Sequence, residues 1–329
     1  MKKLTAILLA LVLLLTLSSC SKPDEAAKIT KIGIIQFAEH GSLDNCRQGF
    51  IEGLAAEGFV EGQNVTFVTQ NSQADFAIAS QIASSLVDVD KCDMICAIAT
   101  PAAQAAFNYA QDKNIPVIFT AVTDPVGASL AAAEGENPGQ ITGTSDLLAV
   151  EAQLKMIRAM MPEAKKIGIL YNTSESNNEL PLSMYNDLAA TYGFEIVASG
   201  ITAGADIPLA LDALLPQVDC ISNLTDNTVV SYLAVVLEKA TAAGKPVFGS
   251  EIEQVKLGCV AAEGLEYLEL GRQTGRMAAK VLKGEAEAKN LPFELITNSY
   301  LYVNKDAMAS FGIELPADMA DRAIDVLAQ

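Results

Sequence analysis

The chain has 329 residues, half of them apolar, and it carries 22 Lys and Arg against 40 Asp and Glu, for a net charge of −18. A chain this acidic is repelled by phosphate-coated partners and by anionic lipid head groups. The composition therefore disfavours nucleic-acid binding and broad contact with a membrane surface. His40 is the only histidine, and the acidic residues do not cluster as metal ligands do, so we expect no metal site.

The first 25 residues have the pattern of an export signal. Lys2 and Lys3 precede an apolar run of about 14 residues, which is shorter than the roughly 20 residues needed to span a membrane. The run ends in Leu17-Ser18-Ser19-Cys20, and a polar stretch follows. This arrangement resembles the lipobox of bacterial lipoproteins, which implies cleavage before Cys20 and a diacylglycerol on its thiol. We therefore expect a chain that is lipid-anchored at the cell envelope, outside the cytoplasm.

The cysteines that follow Cys20 are odd in number, so in an exported protein they cannot pair completely within the chain. The sequence places no histidine near them in a metal-ligand spacing. We interpret them as small buried apolar residues, namely Cys46, Cys92, Cys96, Cys220 and Cys259.

From residue 31 onward, short apolar runs alternate with amphipathic segments. This alternation predicts a parallel sheet with helices on both faces. The predicted strands are 31–37, 64–70, 93–98 and 115–121, and the predicted helices between them are 43–57, 74–87 and 101–113.

The pattern then starts again, since KIGILY (166–171) nearly repeats KIGII (31–35). A segment rich in Gly, Pro and Thr, residues 122–146, separates the two halves and is typical of a crossover. The repetition favours two similar α/β lobes. In the second half we predict strands at 166–171, 194–199, 218–222, 245–250, 259–264 and 299–303, and helices at 182–192, 207–215, 227–243, 267–282 and near 317–327.

We therefore predict two similar doubly wound parallel-sheet lobes joined by a hinge, as in a clamshell. Ligands of such sheets bind beyond the carboxyl ends of the strands, so two facing lobes would share one ligand and close on it by hinge motion. The expected division is a signal peptide at 1–19, a lipidated linker at 20–30, a first lobe from 31–121 plus 258–290, and a second lobe from 122–257 plus 291–329.

Polar loops follow the predicted strands at 37–44, 100–101, 120–127, 171–178, 222–228 and 249–254. Each precedes a helix whose free N–H groups can bind an anion, although Ser, Thr, Asp and Asn at such positions also serve as ordinary helix caps. Six such loops at one edge favour a ligand site. The candidate ligand-binding residues are Glu39, Ser42, Asp44, Thr100, Thr123, Asp124, Tyr171, Ser174, Asn177, Asp226, Asn227 and Ser250.

This mixture of side chains suits an amino-acid zwitterion. Thr100, Ser174 and the helix N-termini would donate to its carboxylate, and Asp124, Asp226 or Glu39 would accept from its ammonium. The loops hold no cluster of Arg or Lys, so phosphate and sulfate ligands are less expected.

The aromatic content gives less guidance about the ligand. Phe37, Tyr171 and Tyr267 are candidate stacking residues, although residues of this kind more often serve in core or strand-end packing. The chain has no Trp and only 6% aromatic residues, so an aliphatic or other small amphipathic ligand remains open.

No catalytic arrangement is evident in the sequence. His40 adjoins Glu39, but no nucleophile-elbow motif accompanies it, and glycine-rich phosphate loops are absent. We therefore expect a binding protein that is not an enzyme and that needs no cofactor.

Several segments resemble the substrate-binding lipoproteins of ABC importers grouped as the tryptophan/tyrosine type, and the most specific is FTAVTDPVGA (119–128). The resemblance implies a type I periplasmic-binding fold that delivers a small molecule to a permease with an ATPase partner. It also implies an amino-acid ligand, as several relatives bind aromatic ones. We expect a monomer, and the alternative is a ligand-sensing lipoprotein that signals to a membrane partner. The other segments are EHGSLD (39–44), GFIEGL (49–54), ATPAAQ (99–104), PGQITGTSD (138–146), IGILYN (167–172), DNTVVS (226–231), KPVFGSE (245–251) and LGRQTGRMAAKVLKGE (270–285).

Overall fold

The computed structural model of the protein describes residues 29–296 and 298–328. The predicted signal peptide, Cys20 and most of the predicted linker lie outside these residues. The strands of the described chain are β1 (Thr30–Gln36), β2 (Val65–Asn71), β3 (Met94–Ile98), β4 (Val117–Thr120), β5 (Ile141–Ser145), β6 (Lys166–Asn172), β7 (Glu195–Ile201), β8 (Cys220–Ser222), β9 (Val247–Phe248), β10 (Ala261–Gly264), β11 (Glu294–Leu295), β12 (Tyr300–Val303) and β13 (Ala323–Asp325).

The α-helices follow most of the strands and pack on both faces of the sheets. They are α1 (Gly41–Ala56), α2 (Phe76–Asp88), α3 (Thr100–Ala110), α4 (Val150–Met160), α5 (Glu179–Ala189), α6 (Ile207–Leu214), α7 (Asn227–Ser231), α8 (Leu233–Ala242), α9 (Ile252–Leu257), α10 (Tyr267–Leu282) and α11 (Lys305–Ser310). None of the helices in residues 29–296 and 298–328 is long and apolar enough to cross a membrane.

The first lobe is built on a parallel six-stranded sheet in the order β11-β5-β4-β3-β1-β2. Its central strands β1, β3 and β4 are buried almost throughout, as expected for strands covered on both faces. One continuous apolar core joins this sheet to α1, α2, α3 and α10.

The second lobe contains a parallel sheet in the order β7-β6-β8-β9. A second sheet, β10-β12-β13, continues from it, because Val260 N donates to Val247 O at 2.8 Å and Gly249 N donates to Ala261 O at 2.9 Å. Apolar clusters cover both faces, one formed with α4 and α5 and the other with α6, α8 and α9.

The structure corrects the predicted division between the lobes. β5 pairs with β4 and β11 pairs with β5, so both strands belong to the first lobe although the prediction placed them in the second. β10 pairs with β12 and belongs to the second lobe, not the first. The chain therefore crosses between the lobes after β5, after β10 and after β11.

Two predicted helices also differ from the structure. The predicted helix near 317–327 is a short 3₁₀ turn followed by β13, which hydrogen-bonds to β12 and so satisfies its backbone as a strand. The predicted helix 227–243 is divided at Tyr232, whose φ of −107° and ψ of 18° interrupt the helix between α7 and α8. The predicted helix 267–282 is confirmed with the same bounds as α10.

The cysteines behave as predicted. All cysteines of the described chain are buried and free, namely Cys46, Cys92, Cys96, Cys220 and Cys259.

Helices α1 and α10 pack backbone to backbone because glycines line their contact. A Cβ at Gly49 would lie 2.1 Å from the carbonyl oxygen of Leu268, and one at Gly271 would lie 2.2 Å from that of Cys46. Both glycines belong to the segments GFIEGL and LGRQTG noted in the sequence. The close contact holds the N-terminal ends of both helices at the carboxyl edge of the first sheet, where the candidate site lies.

We expect Gly49→Ala to destabilise the protein by about 1–3 kcal/mol, because the added methyl group would force the two helices apart. Thermal and urea unfolding would measure the change. Gln48→Ala, at the neighbouring exposed position, is the control and should change the free energy of unfolding by no more than about 0.5 kcal/mol. Equal stability of Gly49→Ala and the wild type would show that the contact tolerates a side chain.

Candidate ligand-binding site

A narrow polar cavity lies between the lobes at the carboxyl ends of the strands, and its volume is about 20 Å³. The first lobe contributes His40, Ser42, Leu43, Ala121, Thr123, Asp146 and Tyr267. The second lobe contributes Asn177, Thr225, Asn227, Val230, Glu251 and Gln254.

Direct hydrogen bonds join the lobes around this cavity. The hydroxyls of Thr123 and Thr225 lie 3.2 Å apart. Farther out, Asn45 in α1 donates through Nδ2 to Glu253 Oε1 in α9 at 3.1 Å. These contacts require the lobes to be close together, so the structure is a closed clamshell.

Asp146 is the buried acidic residue of the first lobe in this cavity. It follows β5 at the first crossing between lobes, and its side chain is 2% exposed. Thr123 donates to Asp146 Oδ1 at 2.9 Å, and the Tyr267 hydroxyl donates to Oδ2 at 2.7 Å. Burial raises the pKa of Asp146, although both hydrogen bonds oppose this shift.

Glu251 is the corresponding acidic residue of the second lobe. It caps the N-terminus of α9, where its carboxylate accepts from Glu253 N at 2.6 Å and from Gln254 N at 2.9 Å. Ser42 hydrogen-bonds to it from the other lobe. Burial raises the pKa of Glu251 to about 7 in spite of these donors.

The electrostatic character of the cavity follows from these two residues. Asp146 and Glu251 face it from opposite lobes, and no Lys or Arg is among its described lining residues. A cationic group would therefore bind more favourably here than an anionic one. Leu43, Ala121 and Val230 provide apolar surface for the uncharged part of a ligand.

The structure brings four of the predicted residues into the cavity wall, namely Ser42, Thr123, Asn177 and Asn227. Tyr267, predicted as a stacking candidate, also lines the cavity, with its hydroxyl on Asp146.

The three predicted ammonium partners lie elsewhere. Asp226 caps α7, and its oxygens accept from Val229 N at 2.7 Å, from Asn178 Nδ2 at 2.7 Å and from Asn172 N at 2.5 Å. Asp124 closes a turn by accepting from Gly127 N at 2.9 Å. Glu39 is exposed to solvent. The carboxylates of Asp226 and Asp124 therefore accept hydrogen bonds from the protein's own backbone, at a helix start and in a turn respectively.

The remaining predicted residues also lie outside the cavity lining. Asp44 pairs with Gln36 and Arg47 within the first lobe. Thr100 is buried at the start of α3, and its hydroxyl has no hydrogen-bond partner among the described residues.

The other three belong to the second lobe. The ring of Tyr171 packs against Gly200 of β7. Ser174 is exposed, and the Ser250 hydroxyl donates to Leu224 O at 3.1 Å. The stacking candidate Phe37 is buried in the core of the first lobe, where its ring packs edge-on against that of Phe76.

Sequence reasoning missed Asp146 and Glu251 as site residues, although each lies in a segment that it had noted. Asp146 ends PGQITGTSD, and it is placed at the edge of the sheet because residues 141–145 form β5. Glu251 directly follows Ser250 in the loop after β9. For Glu251 the available signal was its position at the end of the predicted strand 245–250. No such signal was available for Asp146, because the sequence pattern of residues 141–145 indicates part of a crossover and not a strand.

Two lobes of parallel sheet that close on a polar cavity define a solute-binding clamshell. Residues 31–327 match the family model of ABC transporter substrate-binding proteins. The chain belongs to this family, and its fold is that of the type I periplasmic-binding proteins, as predicted.

A tyrosine-binding protein of Clostridioides difficile is 36% identical over 92% of this chain and 86% of its own length. A Streptococcus pneumonia ABC-domain structure in complex with L-Trp is 31% identical, with a TM-score of 0.86, over 90% of this chain and 99% of the other.

A third relative clarifies the arrangement of the lobes. A ligand-free, open substrate-binding protein of Clostridium difficile is 36% identical over 90% of this chain and 99% of the other, yet its TM-score is only 0.67. The higher TM-score of the L-Trp complex, at lower identity, agrees with the interlobe hydrogen bonds in indicating a closed arrangement.

Proposed function

We propose that this protein captures an amino acid outside the cytoplasm, in the cavity between its lobes, and delivers it to an ABC permease and its ATPase. The observation that carries this proposal is the pair of buried carboxylates, Asp146 and Glu251, that face one closed cavity from opposite lobes. They replace Glu39, Asp124 and Asp226 as the proposed partners of the ligand's ammonium group.

The start of α1 supplies donors for the ligand's carboxylate. Ser42 and Leu43 line the cavity in the first turn of this helix, where main-chain N–H groups have no intrahelical acceptor. The positive end of the helix dipole also favours an anion there. An amino-acid zwitterion thus finds an acceptor for one charge and donors for the other, while its side chain packs against apolar residues such as Val230.

The two carboxylates also explain how ligand binding would drive closure. Closing the lobes removes Asp146 and Glu251 from water, and burying a charge without a counter-charge is unfavourable. A bound ammonium group provides that counter-charge only when both lobes surround it. The ligand would therefore shift the population toward the closed state through its differential affinity for the two states.

The relatives support an aromatic amino acid among the possible ligands, since one holds L-Trp and another is named for tyrosine. The role is that of a non-catalytic, monomeric carrier, anchored through a lipid on Cys20 after removal of residues 1–19, with 20–30 as its linker. Membership in the importer family does not favour the alternative role as a signalling lipoprotein.

Thermal melting with each of the twenty amino acids tests the proposal. At a concentration about 100 times its dissociation constant, a ligand should raise the melting temperature by about 5 °C, because it binds only the folded protein. No shift with any amino acid would refute the amino-acid ligand and leave the fold unaffected.

We expect Asp146→Asn to weaken ligand binding about 10- to 100-fold, because the ammonium would lose a charged partner in a buried site. Isothermal titration calorimetry would measure this loss. Asp124→Asn is the matched control, since it removes an aspartate of the same lobe that lies outside the cavity. The affinity of this variant for the ligand should stay within about twofold of the wild-type value. Unchanged affinity in Asp146→Asn would remove this residue from the site.

The affinity should also depend on pH. Glu251 has a pKa raised to about 7, so its carboxylate becomes protonated as the pH falls through this value and no longer attracts an ammonium group. We expect the affinity to fall about tenfold between pH 8 and pH 6, because binding releases on average about half a proton over this range.

Glu251→Gln is the test variant for this dependence, and it should bind more weakly at pH 8 with a flatter pH profile. Glu238→Gln changes an exposed residue of α8 outside the cavity lining, and it should retain the wild-type profile. A wild-type affinity that does not change over this range would contradict the role given to Glu251.

A further inference from the structure

Behind the cavity wall, the buried carboxylate of Glu175 holds two asparagine amides in one orientation. Its Oε2 accepts from Asn227 Nδ2 at 2.7 Å and from Asn177 Nδ2 at 3.4 Å. Asn177 Nδ2 also donates to the carbonyl of Thr225 at 3.1 Å. Because a carboxylate only accepts, the NH₂ group of each amide must point toward Glu175. The amide oxygens of both asparagines are thereby left to accept hydrogen bonds from other groups.

The orientation of the Asn227 amide also fixes the tautomer of His40 in the opposite lobe. Asn227 Oδ1 lies 3.4 Å from His40 Nε2, and since the amide oxygen only accepts, the imidazole must carry its proton on Nε2. Burial lowers the pKa of His40 to about 4, so the ring is neutral at physiological pH. His40 Nδ1 is then a hydrogen-bond acceptor, like Asn177 Oδ1.

These two acceptors have no partner within the described protein. His40 Nδ1 and Asn177 Oδ1 are both buried and unpaired, and both residues line the cavity. Leaving a buried acceptor unpaired is unfavourable, so a ligand that donates to it gains affinity over one that does not. The two carboxylates of the cavity are already assigned to the ligand's ammonium group.

We propose that the ligand's side chain carries a hydrogen-bond donor. Glu175 is then the positioning residue that makes the cavity wall favour a side chain of this kind. This inference rests on the proposed amino-acid function. The donor would be a hydroxyl, an indole N–H or an amide N–H that reaches Asn177 Oδ1 or His40 Nδ1. Glu175 does not touch the ligand. It fixes the direction of the amides, which makes this part of the wall accept rather than donate.

Calorimetry with two pairs of amino acids tests this proposal on the wild-type protein. L-tyrosine and L-phenylalanine differ by one hydroxyl group, and L-threonine and L-valine are the corresponding aliphatic pair. Within the pair that binds, we expect the donor-bearing member to bind at least about tenfold more tightly. Equal affinities within that pair would overturn the proposal and leave the amino-acid function intact. If no amino acid binds at all, the proposed function itself fails.

Two variants test the role of Glu175. In Glu175→Gln the new amide can donate as well as accept, so Asn177 and Asn227 lose their fixed direction. We expect the preference within the pair to fall to about threefold or less. Asn177→Leu removes one acceptor with little change in size and should reduce the same preference while Glu175 is retained. Because both readouts are ratios measured on one protein preparation, partial loss of folding does not alter them.

Glu179→Gln is the matched control, since Glu179 is an exposed glutamate at the start of α5, close to Glu175 in the chain. It should retain the wild-type preference. A full preference in both Glu175→Gln and Asn177→Leu would overturn the assignment of Glu175 as the positioning residue.

Discussion

The closed arrangement depends on the balance of charge in the cavity, where one carboxylate from each lobe is withdrawn from water. Thr123 and Tyr267 donate to Asp146 from its own lobe. The first turn of α9 donates to Glu251 from its own lobe, and Ser42 hydrogen-bonds to it from the other lobe. These hydrogen bonds lessen the cost of burial without neutralising either charge. In the proposed function, the residues that would bind the ligand are therefore also those that would make closure unfavourable without it.

The scaffold supports this balance through the packing of α1 against α10. These helices run side by side from the cavity into the first lobe, and Gly49 and Gly271 allow their backbones to touch. Their first turns bring Ser42 and Tyr267 to the cavity, and each of these side chains hydrogen-bonds to one of the two carboxylates. The contact between these helices thus also sets the geometry of the candidate site.

Periodicity in the sequence predicted most of the strands and helices, because apolar spacing reports directly on burial. It did not predict the lobe to which each strand belongs. The segment ITGTS (141–145) is rich in Gly and Thr and becomes a strand only through its pairing with β4. Two of the candidate site residues were not predicted for a related reason, because neither strand pairing nor local hydrogen bonding can be inferred from residue type alone. Asp146 is brought to the cavity by β5, whereas the backbone hydrogen bonds of Asp226 and Asp124 come from local geometry that the residue type alone does not specify.

Burial of the cysteines has a consequence for their reactivity outside the cytoplasm. Burial raises the pKa of Cys92 to about 11 and the pKa of Cys46, Cys96, Cys220 and Cys259 further, so these thiols remain protonated in the folded protein. Thiolates are the reactive form in disulfide exchange and oxidation. In the folded protein these buried thiols are therefore poor nucleophiles for disulfide exchange with other proteins. Their vulnerable period is the interval between export and folding, which makes rapid folding itself the protection of these thiols.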